Sequence, residues 1–133
     1  LVIGQLKGNW GCVNLPICVD WPKRPLQKIS HVNGRYALTR WKRLAQDEET
    51  TRVEMYPKTG RSHQLRLHML SLGMPILHDN YYPELKPKQA IDFTQPLQLL
   101  AQQLRFIDPV TSQPRAFHCG YQMNLNTLLL DEV

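Results

Sequence analysis

One change of rhythm constrains this chain more than any other feature. From Tyr36 to Leu44, Ala37, Thr39 and Trp41 alternate with Leu38, Arg40 and Lys42, and residues 51 to 57 set Val53 and Met55 against Arg52, Glu54 and Tyr56. A period of two with abundant β-formers is the pattern of half-buried strands, and the polar stretch Ala45 to Thr50 between them predicts a hairpin. Past Lys58-Thr59-Gly60 the period lengthens. Leu65, Met69 and Leu72 share a stripe with Leu67 and Leu70 nearby, Ser62 stands where an N-cap belongs, and Gly73 with Pro75 supplies a stop. These signals predict a helix over residues 63 to 72. A strand pair turning sharply into a helix implies an α+β fold, mainly antiparallel, with one principal helix.

The rest of the chain fits around this unit. Residues 9 to 34, broken by Pro16, Pro22 and Pro25, read as one long ordered loop, a length usually reserved for functional segments. A closing hairpin is expected at about 103 to 108 and 115 to 119, after polar loops that run past Asp79 and through Lys88. Residues 1 to 125 read as one domain and 126 to 133 as a loosely held tail. A chain of 133 residues with 42% hydrophobic content is long enough to bury roughly two thirds of its unfolded surface. With no initiator methionine, Leu1-Val2-Ile3-Gly4 reads as a strand entered mid-course, with the natural N-terminus expected upstream.

Charge and cysteine content narrow the setting. Residues 1 to 66 hold twelve of the sixteen lysines and arginines against five acids, a net +7; residues 67 to 133 hold four against six, a net −2. Such asymmetry suits a surface facing a polyanion, although a solvated face of a basic protein would look the same. Three cysteines, Cys12, Cys18 and Cys119, form no CxxC pair and no disulfide framework, so a reducing cytoplasm is expected. Apolar runs reach only three or four residues, far short of the roughly 20 needed for a membrane-spanning helix.

Chemistry concentrates at Lys58-Thr59-Gly60-Arg61-Ser62-His63-Gln64-Leu65-Arg66. A helix start offers free N–H groups and the positive end of a dipole, and Lys58 and Arg61 add full charges, which together outline an anion site. Arg66, one turn in, could grip a carboxylate or phosphate with two parallel hydrogen bonds. The same residues also read as an ordinary capped helix with solvent-facing arginines. His63 and His68 lie about 140° apart around a helix and make no zinc pair; no metal is expected. No P-loop, GxGxxG or GxSxG occurs. Trp21, beside Lys23-Arg24, is a candidate for stacking on a base, whereas Trp41 in strand alternation reads as core or half-core.

Thr59 to Ile76, TGRSHQLRLHMLSLGMPI, resembles the TGR-[ST]-HQ-[IL]-R-x-H segment and following LGxPI of RluA-type RNA pseudouridine synthases. Ala37-Leu38-Thr39 is similar to the family's strand before that motif, Asp79 and Tyr82 to its GDxxY pattern, and Leu104-Arg105-Phe106-Ile107-Asp108-Pro109 to its LxFxHP pattern. Leu15 to Pro25 is similar to the bacterial subgroup that modifies both ribosomal RNA and a transfer-RNA anticodon stem-loop. The resemblance implies the pseudouridine synthase catalytic fold and isomerisation of a flipped uridine, whose base is detached from C1′, rotated and rejoined through C5, without a cofactor. It also implies that Arg66 supports a nucleophilic aspartate, that Lys58 and Arg61 hold RNA phosphates with His63 and Gln64 at the turn, and that Trp21, Lys23 and Arg24 meet RNA. RNA is the expected partner and a monomer the expected state.

The departures are as informative. Neither the RLD motif that carries the aspartate nor the following lysine-x-tyrosine stretch occurs in these residues, so Arg66 is expected to lack its carboxylate here and the chain alone to be inactive. His78 stands where the GD pattern has glycine, and Leu97-Gln98-Leu99-Leu100-Ala101 lacks the histidine of the family's LLLHA. A noncatalytic RNA-binding module of the same fold is the alternative, and a basic protein-binding domain a third reading.

Overall fold

A computed structural model describes residues 1–87 and 93–125. In chain order the elements are β1 (Val2–Ile3), β2 (Trp10–Asn14), β3 (Ile17–Val19), a single 3-10 turn (Trp21–Lys23), β4 (Gln27–Ile29), β5 (Leu38–Gln46), β6 (Thr50–Pro57), α1 (Gln64–Ser71), β7 (Gln103–Ile107) and β8 (Pro114–His118). All strand pairings are antiparallel: a four-stranded sheet in the order β1-β6-β5-β2 and two hairpins, β3-β4 and β7-β8. The expected α+β architecture is the one observed.

The β5–β6 hairpin forms because its alternation can be satisfied on one face. Ala37, Thr39 and Trp41 are buried, while the alternating Arg40 and Lys42 are exposed. The register slips by one residue between Arg43 and Ala45, a bulge that lets Gln46 pair with Thr51. At the turn, the Asp47 carboxylate accepts the backbone N–H groups of Glu49 and Thr50, at 2.9 and 2.7 Å.

Two expectations need correction. Residues 9 to 34 are not one loop: they contain β2, the fourth strand of the main sheet, and the β3–β4 hairpin, which pairs Ile17 with Ile29 and Val19 with Gln27. Strands of three residues between prolines are too short to establish a visible period. The helix also begins later than expected, at Gln64, and Ser62 does not cap it. His63 occupies the cap position in the left-handed region, φ 55°, with no side-chain cap bond. At the other end the stop is as expected. Gly73 takes φ 73°, its N–H reaches the Leu70 carbonyl, and the Met74 N–H reaches back to Met69 at 3.1 Å.

The core has two parts. Val2, Leu6, Val13, Trp41, Met69, Met74 and Ile76 fill the space between the sheet and α1; Ile17, Ala37, Leu67 and Tyr82 fill the space beside the β3–β4 hairpin. Trp41 lies over Gly11, where an added Cβ would come within 2.7 Å of the indole. The strands of β7–β8 are exposed along their length. The tail from residue 126 and the loop at Lys88 lie outside the described residues.

Candidate functional site

The turn between β6 and α1 is held by side chains rather than by a capping serine. Thr59 Oγ1 accepts the Leu38 N–H at 3.0 Å and donates to Gln64 Oε1 at 2.8 Å. Gln64 Oε1 also accepts the Arg61 N–H, and Gln64 Nε2 donates to the Leu38 carbonyl and to Thr39 Oγ1, at 3.1 and 3.0 Å. Gln64 is buried and both ends of its amide are engaged, so it fixes the turn and has nothing left to offer RNA.

One turn on, buried His68 continues the chain of bonds. The Leu15 carbonyl, 2.9 Å away, can only accept, so Nε2 carries the proton; Nδ1 then accepts from Thr39 Oγ1 at 2.8 Å. Burial lowers its pKa, opposed by the Leu15 carbonyl. Through Gln64, Thr39 and His68, the helix is riveted to β5, which makes it a rigid mount.

Arg66 projects from that mount; the RLD aspartate expected beside it is absent from these residues, and a different carboxylate, Asp79, meets it. Nε donates to Asp79 Oδ2 at 2.8 Å and Nη2 to Oδ1 at 2.5 Å, a two-pronged pair with side-chain exposures of 15% and 1%. Asp79 Oδ1 also accepts the N–H groups of Tyr81 and Tyr82, at 2.8 and 3.1 Å. Burial pushes the Asp79 carboxyl up, but Arg66 and the two N–H groups outweigh it and leave the pKa below the ordinary value. The Arg66 guanidinium lies 4.5 Å from the Tyr81 ring centroid and 5.4 Å from that of Tyr82. Nη1 has no partner among the described residues.

His63 completes the group. Its ring lies 5.5 Å from Tyr81 and 5.7 Å from Tyr82, and Nδ1 is 2.8 Å from the Tyr82 hydroxyl. Burial, then the positive charge of Arg66, lowers its pKa against the pull of Asp79. The Tyr82 hydroxyl also accepts the Gln27 N–H at 2.9 Å, so the turn end of the β3–β4 hairpin, where Gln27 pairs with Val19, is tied to the Arg66 group. At that hairpin's tip, Trp21 is 65% exposed and the Arg24 guanidinium sits 3.6 Å from its ring centroid, with Lys23 exposed alongside. Lys58 is exposed, and Arg61 is oriented by a 2.9 Å bond from Nε to the Tyr36 carbonyl.

The structure therefore joins Arg66 and His63 to residues not singled out for the site: Asp79, Tyr81, Tyr82 and Gln27. Asp79 and Tyr82 had a signal in the GDxxY spacing; Tyr81 and Gln27 had none. His78, before Asp79, takes φ 60°, a conformation glycine adopts without strain, which accounts for the glycine of that pattern. Among the described residues no cluster of histidine, cysteine, aspartate and glutamate could hold a metal ion, and no helix is long and apolar enough to cross a membrane.

The sequence model of the RNA pseudouridylate synthase family matches residues 5–71. The dual-specificity RNA pseudouridine synthase RluA of Vibrio cholerae serotype O1 is 49% identical over 108 residues, covering 81% of this chain and 43% of the relative. The protein of the same name from Pasteurella multocida is 49% identical over 118 residues, covering 88% and 52%. The chain thus spans about half the length of the curated relatives it matches. Among solved structures, human RNA pseudouridylate synthase domain containing 1 superposes with a TM-score of 0.69 at 20% identity, covering 96% of this chain and 61% of that one, a likeness of fold.

Proposed function

Because this chain belongs to the RNA pseudouridylate synthase family, with RluA-type enzymes as its relatives, we propose that residues 1–125 form the C-terminal portion of a catalytic domain that converts uridine to pseudouridine in ribosomal RNA, transfer RNA or both. The reaction is an isomerisation. The bond from N1 to C1′ breaks, a bond from C5 to C1′ forms, the C5 hydrogen leaves to solvent and N1 gains one.

The observation that carries this reading is the forked pair of Arg66 with Asp79. Asp79 takes Nε and one hydrogen of Nη2, which leaves Nη1 and the second Nη2 hydrogen for another carboxylate. In our proposal those donors meet the nucleophilic aspartate, whose RLD segment is not among these 133 residues, and keep it ionised and oriented. The chain alone is then inactive. Lys58 and Arg61 hold phosphates, and the exposed face of Trp21 stacks on a base while Arg24 covers the other and Lys23 adds charge. His63 orients Tyr82 through its 2.8 Å contact with the hydroxyl, and Gln64 serves the turn alone. We further propose a cofactor-free monomer in a reducing cytoplasm, a setting that the free thiols of Cys12, Cys18 and Cys119 support.

Tritium release from RNA labelled at C5 of uridine tests the reading in the complete reading frame. Release from ribosomal or transfer RNA is expected, and Arg66→Ala is expected to abolish it while RNA affinity changes less than about threefold. Lost binding with preserved single-turnover chemistry would overturn the role of Arg66. Salt-sensitive RNA binding with no release from any RNA would favour the noncatalytic module instead.

A further inference from the structure

The four-stranded sheet has a second face, turned away from α1, that neither core cluster covers. Strand alternation puts Thr39 and Trp41 under the helix and leaves Arg40 and Lys42 on this outer face. Register then fixes their neighbours: Trp10 pairs with Lys42 and Cys12 with Arg40 on one side, and Tyr56 pairs with Arg40 on the other. These side chains line a shallow groove of about 460 Å³, floored by Gly11 and Trp41.

A solvated sheet face is usually a mixture of small polar groups and charges. Here Trp10 is 80% exposed and Tyr56 47% exposed, on strands about 10 Å apart across β5, with two cations between them. The acid that shares this face, Glu54, stands opposite Lys42 and accepts the hydroxyl of Tyr56, while Arg40 faces Cys12 and Tyr56 with no acid opposite it. Aromatic rings flanking exposed cations, without a matching set of acids, complement single-stranded nucleic acid: rings take bases and cations take phosphates.

We infer that this outer face is a second RNA-binding groove, separate from the Arg66 site, holding a single-stranded segment with a base on Trp10 and phosphates at Arg40 and Lys42. The inference rests on the RNA reading above and adds a surface to it. Bases have π-faces whatever their identity, so the contact is tolerant of sequence and extends the grip beyond the target nucleotide.

The test uses the complete reading frame and measures RNA affinity, its salt dependence and single-turnover rate at saturating RNA. Trp10→Ala is expected to weaken binding about tenfold with the salt slope unchanged, and Trp10→Phe to restore most of it. The pair Arg40→Gln with Lys42→Gln should make the slope shallower by about 1.4, two phosphates at about 0.7 each. The saturated single-turnover rate should be unchanged in all three, because none touches the Arg66 site. Exposed Cys12 supplies an independent readout. With Cys18→Ser and Cys119→Ser, a thiol-linked photocrosslinker at Cys12 should capture RNA. Wild-type affinity and slope in the variants, or crosslinks only to polypeptide, would overturn the inference and show the face to be solvated or covered by protein. Absence of RNA binding in the unsubstituted enzyme would instead sink the RNA reading itself.

Discussion

Asp79 sets the terms for everything around it. Replacing it with alanine leaves the Arg66 guanidinium largely buried against two tyrosine rings without a counter-charge, and removing one partner of such a pair costs about 3 to 5 kcal/mol. Urea unfolding of Asp79→Ala should show that loss, whereas substitution of exposed Lys58 should not. Acid gives the same test by titration. The native pKa of Asp79 is lowered, so its stabilisation is complete above the unfolded value of about 3.9 and is lost as pH falls through the native one. Asp79→Asn should therefore flatten the acid limb of the stability profile below about pH 4. Arg66 was legible because a cation one turn into a helix is a recognisable mount for a fork. Its partner was not, because Asp79 lies 13 residues on, past the helix stop, where no helical or strand period carries information. Gln64 stands at the turn as expected, but it is no RNA contact, because its amide is fully used by Leu38, Thr39, Thr59 and Arg61, which only the strand packed over it reveals.

At the level of elements, the β5–β6 hairpin could be read from its alternation, whereas α1 was legible mainly from its stop at Gly73; the expected stripe of Leu65, Met69 and Leu72 is not its buried face, which is Gln64, Leu67, His68 and Met69. The β3–β4 hairpin could not be read, since its order comes from distant contacts. Gly34 illustrates the point. An added Cβ would lie 2.2 Å from the Ser30 carbonyl oxygen and 2.7 Å from the Pro16 carbonyl carbon, both backbone atoms that cannot rotate away. Gly34→Ala should cost about 3 kcal/mol in thermal or urea unfolding. It should also weaken RNA binding through the displaced Trp21 tip. The rivet between α1 and β5 has its own signature in pH. Neutral His68 has a lowered native pKa, so above about 6.5 it is unprotonated folded or unfolded and contributes no pH dependence. As pH falls below that value the unfolded chain takes up a proton that the native state refuses, and stability drops until the native pKa is reached. Unfolding midpoints between pH 7.5 and 5 should follow this slope, with His68→Gln reducing it by up to about 1.4 kcal/mol per pH unit.

Across the whole molecule, cohesion is uneven. The main sheet, α1 and the β3–β4 hairpin share two adjoining core clusters, whereas β7–β8 exposes Leu104, Phe106 and Phe117 and stacks Phe106 on Phe117 at 6.1 Å. Hydrogen exchange should therefore be fastest in β7 and β8 and slowest in β5 and α1, with protection factors differing by at least about tenfold. Equal protection in the two regions would show that the C-terminal hairpin is bound into the same cooperative unit. The sequence foretold where that hairpin lies, since a PVTSQP turn between β-formers is local information; how little it shares with the core is a property of the assembled chain. The pairing of Arg66 with Asp79 has one more consequence. A free arginine gives up about 1.5 to 2 kcal/mol of rotamer freedom when it is pinned by a ligand. Here folding has already immobilised the guanidinium, so a second carboxylate meets a donor array that has no further entropy to lose, and the attraction between them appears almost undiminished in the assembled site.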